Sequence, residues 1–129
     1  MRYGKRLVFL GCIWGLSVVL CGLLPAPAES LPRSVTRWEP VVTKYFDKYS
    51  HKFKHRHITR GEVRIALYII YRESRGYVRA RNGRYVGLFQ CDIAHFQGRY
   101  PWTAVSQAAT AAMLYVRLGW KPWAWYRVY

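Results

Sequence analysis

The sequence predicts a small α+β domain, mainly helical, in which one short β-hairpin stands between two helices. Three observations carry that expectation. Thr59 lies three residues before Glu62, the pairing that satisfies orphan N–H groups at a helix start, and Val63, Ala66, Leu67, Ile69 and Ile70 then recur at helical spacing. Asn82-Gly83, a strong hairpin signal, sits between Tyr77-Val78 and Tyr85-Val86. Ala104 to Leu118 is rich in helix formers until Gly119 stops it.

The chain opens on a segment that the fold does not need. Arg2, Lys5 and Arg6 precede an apolar stretch from Leu7 to Leu24, and Ala26-Pro27-Ala28 supplies small residues where a signal peptidase reads. Residues 1–28 are therefore expected to be a signal peptide cleaved after Ala28. The stretch is nearly long enough to span a bilayer, so an uncleaved membrane anchor is the alternative. In both cases the basic flank stays inside and the remainder is exported, either secreted or held at the cell wall. Residues 29–37, with Pro32 and Ser34, read as a linker to a single domain over 38–129.

Charge limits the partners. The 21 Lys and Arg outnumber the 6 Asp and Glu for a net +15, and since three of the cations precede Leu7, the exported part keeps +12. Such a surface suits polyanions, and export points to anionic envelope polymers rather than nucleic acid. Solvated charge that merely keeps the domain soluble is the plainer explanation of the excess, although not of its sign. Cys12 and Cys21 fall in the leader, so Cys91 is left without an intramolecular partner and the domain must depend on its apolar core.

Trp38, Val41, Val42, Tyr45, Phe46 and Tyr49 fit a first helix, with Pro40 in its first turn and Lys44 and Lys48 on the other side. Ser50 to Ile58 then carries Lys52, Lys54, Arg56, His51, His55 and His57. His51 and His55 have the i, i+4 spacing of a zinc pair. Cationic flanks and the lack of a following Glu favour a basic connecting loop instead, and no metal is expected.

Glu73 stands three and four residues beyond Ile70 and Ile69, so the second helix carries a carboxylate on its apolar face toward the interior, with Gly76 as the stop. Desolvation and the negative end of the helix both favour the protonated form. A carboxyl group held protonated near neutral pH can give its proton to a leaving oxygen, the task of a general acid in glycoside cleavage. A Glu that simply reaches water at a helix end is the competing explanation.

After the hairpin comes Gly87-Leu88-Phe89-Gln90, where the Gly permits close backbone approach and Gln90 offers a donor and an acceptor to a polar ligand. Cys91 reads as a buried packing residue, a reading preferred to a thiol nucleophile paired with His95. Asp92 suits a cap on a short helix through His95 and Phe96. As the only acidic residue after Glu73, it is also the candidate nucleophile for a two-carboxylate glycosidase. Pro101 restricts the connector before the next helix, Thr103 or Ser106 can cap that helix, and its alanines permit close approach to the helix of Glu73. Trp120, Trp123, Trp125, Tyr126 and Tyr129 crowd the tail, where their flat faces suit either sugar stacking or core burial.

Glu73-Ser74, then Gly87-Leu88-Phe89-Gln90, then Ala108, Ala109, Ala111 and Ala112 with Tyr115, and finally Gly119-Trp120 and Pro122-Trp123, together resemble the lysozyme-like lytic transglycosylase family in its small secreted form. The resemblance spans about Trp38 to Trp125. It implies a lysozyme-like fold and cleavage of the β-1,4 bond between N-acetylmuramic acid and N-acetylglucosamine in peptidoglycan, with Glu73 as acid and then base. It further implies that Ser74, Gln90 and Tyr115 orient Glu73 and the sugar N-acetyl groups, that Gly87, Phe89, Trp120 and Trp123 join the substrate site, and that a monomer works on glycan strands with no cofactor.

The sequence departs from the family pattern at Arg75, where a Gly is common, at Gln107, where many members have Asn, and in lacking a Tyr-Asn-Ala type ending. Two alternatives therefore stand beside the transglycosylase: a lysozyme-type muramidase that uses water, and a non-catalytic cationic wall-binding or antimicrobial protein.

Overall fold

A computed structural model describes residues 30–54 and 57–123. The apolar leader, the expected cleavage point and the aromatic residues Trp125, Tyr126 and Tyr129 lie outside the described residues. Among the described residues there are four α-helices: α1 Arg33–Thr36, α2 Glu39–Lys52, α3 Arg60–Ser74 and α4 Ala104–Leu118. Between α3 and α4 run three short strands, β1 Arg81–Asn82, β2 Tyr85–Val86 and β3 Cys91–Asp92, and a 3₁₀ turn, Ile93–Phe96; a second 3₁₀ turn, Lys121–Trp123, follows α4. The architecture is α+β and mainly helical. Among the described residues no helix is long and apolar enough to cross a membrane.

The compact unit begins at Leu31, within the stretch 29–37 expected as linker. Val35 is fully buried, and α1 lies directly over Gly76, where a Cβ would come within 2.2 Å of the Ser34 carbonyl oxygen. Gly76 thus serves close packing as well as its left-handed φ of 84°. Trp38 adds to this corner by donating its indole N–H to the Gly76 carbonyl at 3.0 Å.

The starts of α3 and α4 follow their sequence signals. The Thr59 hydroxyl accepts the Glu62 N–H at 3.2 Å, and the Glu62 carboxylate accepts the Thr59 N–H at 2.7 Å, completing a capping box. Thr103 caps α4 by accepting the Ser106 N–H at 3.1 Å. On α2, Val42 and Phe46 are buried, Trp38, Tyr45 and Tyr49 pack at the core edge, and Lys44 and Lys48 face outward. Phe46 is central, with the rings of Tyr115, Phe89 and Trp120 at 5.5, 6.0 and 6.0 Å.

Two expectations need correction. The alanines of α4 bring it most closely against α2, not against the helix of Glu73. Because α4 is buried continuously from Gln107 to Tyr115, it has a small-residue surface for α2 and still shares the core with α3. The hairpin is also shifted. Asn82 pairs with Tyr85 and Arg81 with Val86, so the two-residue turn is Gly83-Arg84, with φ of 58° at Gly83, while Tyr77-Val78 lies in a turn. Cys91 and Asp92 add a third antiparallel strand, paired with Val86 and Tyr85.

Candidate functional site

The last turn of α3, the sheet and the segment after α4 enclose a cleft of about 390 Å³. Glu73 reaches it from the penultimate position of α3. Asn82 and Tyr85, a cross-strand pair, line it from the hairpin, and Gln90, Cys91, Asp92 and His95 from β3 and its flanks. Leu114, Pro122 and Trp123 complete the wall.

Helix α3 ends directly after Glu73 and Ser74 because Arg75 turns left-handed at φ 54°, with its guanidinium 4.2 Å from the Tyr71 ring centroid. A Gly would meet this backbone demand without strain, which gives the Arg75 departure its physical meaning. Ser74 is buried and points away from the cleft. Its hydroxyl donates to the Leu88 carbonyl at 2.9 Å, with the Ile70 carbonyl also in reach at 3.1 Å, and accepts the Gly76 N–H at 3.2 Å. Ser74 thereby fixes the Glu73 helix end to the segment that leads to Gln90.

Gln90 occupies the left-handed region at φ 48°. Its side-chain N–H groups donate to the Ala80 and Gly87 carbonyls at 3.2 and 3.1 Å, so that Oε1 is the side-chain atom with acceptor capacity left. Gly87 does not line the cleft. It accommodates Gln107, since a Cβ there would lie 2.2 Å from Gln107 Cδ, and its φ is 81°. Gln107, fully buried, accepts the Leu88 N–H at 2.9 Å and donates to the Val78 and Pro101 carbonyls at 2.8 and 2.7 Å. One side chain therefore joins α4 to both flanks of the sheet.

The aromatic candidates separate. Trp123 lines the cleft with its indole N–H fixed to the Phe89 carbonyl at 2.9 Å. Phe89 is a core residue, and Trp120 is half-buried with its ring 4.4 Å from that of Tyr115. Tyr115 is 4% exposed and donates its hydroxyl to Glu62 Oε1, at the far end of α3 from Glu73. Glu73, Gln90 and Trp123 thus converge on one space, whereas Ser74, Gly87, Phe89, Trp120 and Tyr115 do not line it.

Two further groups set the electrostatics. The Ala94 N–H at 3.0 Å and the Arg84 guanidinium at 2.6 Å hold the Asp92 carboxyl below the usual carboxylate range, so a fixed anion faces the cleft while also capping the 3₁₀ turn. Burial pushes the Cys91 thiol up to about 12, and the Glu73 and Asp92 carboxylates act in the same direction. Cys91 stays a protonated packing residue at neutral pH, which removes thiolate chemistry from this site. Asn82, Tyr85, His95, Leu114 and Pro122 had no assigned part in the site on sequence grounds. The pairing of Asn82 with Tyr85 depends on the shifted hairpin register, and Leu114 carried only a helix-periodicity signal.

A scan against protein-family models matched none, and searches of curated proteins and of solved structures returned no match.

Proposed function

We propose that the chain is a peptidoglycan lytic transglycosylase of lysozyme-like fold, exported to the envelope. The observation that carries this reading is the convergence of Glu73, Gln90 and Trp123, from three separate segments, on one cleft. A carboxyl group at a helix end can serve as acid and base, and an amide oxygen can accept from a sugar N-acetyl group, while Trp123, 3% exposed, closes the wall as a largely buried indole.

In this mechanism Glu73 donates its proton to the glycosidic oxygen as the C1–O bond breaks through an oxocarbenium-like state. The resulting Glu73 carboxylate takes the proton of the muramic acid C6 hydroxyl while that oxygen bonds to C1. A 1,6-anhydro product forms, no water is consumed, and Glu73 regains its proton. The hydrogen bonds of Ser74 behind the helix end and of Gln90 across the cleft keep the carboxyl and amide in place, so little reorganisation is needed during reaction. Arg75 and Gln90, both left-handed non-glycines beside the cleft, are the kind of locally costly backbone that a binding site retains. The net charge of +12 beyond the leader would hold the enzyme on anionic wall polymers.

Asp92 supports a second reading. It lines the same cleft as an anion, where it could assist attack by water and make the enzyme a lysozyme-type muramidase. Digestion of peptidoglycan by the wild type, Glu73→Gln and Asp92→Asn separates the two. The transglycosylase requires Glu73 and retains anhydro product without Asp92, whereas the muramidase loses its product in both variants. Wall binding with no Glu73-dependent product would leave a cationic binding protein.

A further inference from the structure

A second cluster of chemically active side chains lies outside the cleft, where α2 ends and the chain turns toward α3. Asp47 and His51 are one turn apart on α2, and His57 stands two residues before the Thr59 cap. His51 Nε2 is 3.6 Å and His57 Nδ1 is 3.7 Å from the same oxygen, Asp47 Oδ1. One nitrogen from each imidazole and the carboxylate oxygen all fall within 4.8 Å of one another, with the two rings edge-to-face at 4.6 Å.

We propose that Asp47, His51 and His57 bind a divalent transition metal of the zinc type, with a fourth position open to solvent. Zinc takes imidazole nitrogen and carboxylate oxygen at about 2.0–2.2 Å, so tetrahedral ligand atoms stand about 3.3–3.6 Å apart. The two distances to Asp47 match that edge to within a few tenths of an ångström. Two nitrogens and one oxygen as donors favour zinc, nickel or copper over magnesium or calcium.

The site is accessible, since the side chains of Asp47, His51 and His57 are 45, 59 and 78% exposed. The basic surroundings are partly directed elsewhere. Lys44 and Lys48 hold their ammonium groups about 6 Å over Tyr45, and Lys52 holds its own over Tyr49 and Phe53. Sequence spacing pairs His51 with His55, which lies outside the described residues; the structure sets His51 against Asp47, one turn earlier. A bound ion would clip the end of α2 to the segment leading into the α3 capping box.

The test uses the full-length chain, freed of metal and titrated with zinc against a chromogenic chelator. One zinc per chain is expected at micromolar or tighter affinity, weakened at least about 10-fold by Asp47→Asn, His51→Ala or His57→Ala and unchanged by His95→Ala. Zinc should also raise the melting temperature of the wild type, as a ligand of the native state must, and not that of the His51→Ala/His57→Ala pair. Circular dichroism confirms that the variants fold. Absence of binding, or binding that survives the paired substitution, would overturn the proposal.

Discussion

Gln107 Oε1 accepts the backbone N–H of Leu88 at 2.9 Å, and this contact connects the alanine-rich helix to the turn between β2 and β3. The same amide satisfies the carbonyls of Val78 and Pro101, so one side chain serves three backbone groups from three segments, the Leu88 bond buried and the other two part-buried. Removing it leaves all three unpaired, at about 1–3 kcal/mol each before relaxation. Gln107→Ala should therefore lower stability by about 3–5 kcal/mol, read as a fall in the urea midpoint at unchanged slope. A loss under about 1 kcal/mol would show that the latch is dispensable.

Glu62 is shared between two jobs. Its Oε2 closes the capping box with Thr59, and its Oε1 accepts the Tyr115 hydroxyl. A buried hydrogen bond to a carboxylate is worth about 1.5–3 kcal/mol, so Tyr115→Phe should destabilise by that amount. A double-mutant cycle with Glu62→Gln should yield a coupling above about 1 kcal/mol; additive losses would contradict the pairing.

How much of this was legible in the sequence varies with the range of the interaction. Thr59 with Glu62, Thr103 before α4 and Gly119 after it are local signals, and the three boundaries they mark follow them. Asp92 as a cap was equally local and is observed. The hairpin shifted because Asn82-Gly83 specifies a turn without specifying which of its residues is the last paired one. The Gln107 contacts to Leu88 and Val78 and the Tyr115–Glu62 bond join residues far apart in sequence, and nothing in their spacing marks them; the third strand is local but only two residues long, too short for a period-2 pattern. Gln107 stood out only as a departure from a family pattern; the structure supplies its reason in the space left by Gly87.

Thr110 is fully buried in α4, and its hydroxyl has no hydrogen-bond partner among the described residues. Thr110→Val keeps the shape and removes an unsatisfied polar atom, so a gain of about 1 kcal/mol is expected by thermal melting. A loss of similar size would mean that the hydroxyl is bonded in solution.

Cys91 gives a pH signature. Its thiol is raised from 9.0 to about 12 in the folded protein, chiefly by burial, so between those values the unfolded chain has released a proton that the folded chain retains. The stability contributed is fully present below pH 9 and is lost as pH rises toward 12. Relative to Cys91→Ala, the wild type should lose stability with a slope of up to about 1.4 kcal/mol per pH unit in that window. Parallel pH profiles for the two proteins would contradict a buried, protonated Cys91.

In the proposed mechanism Glu73 alone supplies acid and then base in the cleft. Purified peptidoglycan should be digested with the full-length chain and with Glu73→Gln, and the muropeptides weighed. Wild type should release 1,6-anhydro products ~18 Da lighter than hydrolysed ones, since internal attack consumes no water, and the variant should release none. Anhydro product that persists in Glu73→Gln, or intact glycan strands with the folded wild type, would contradict it.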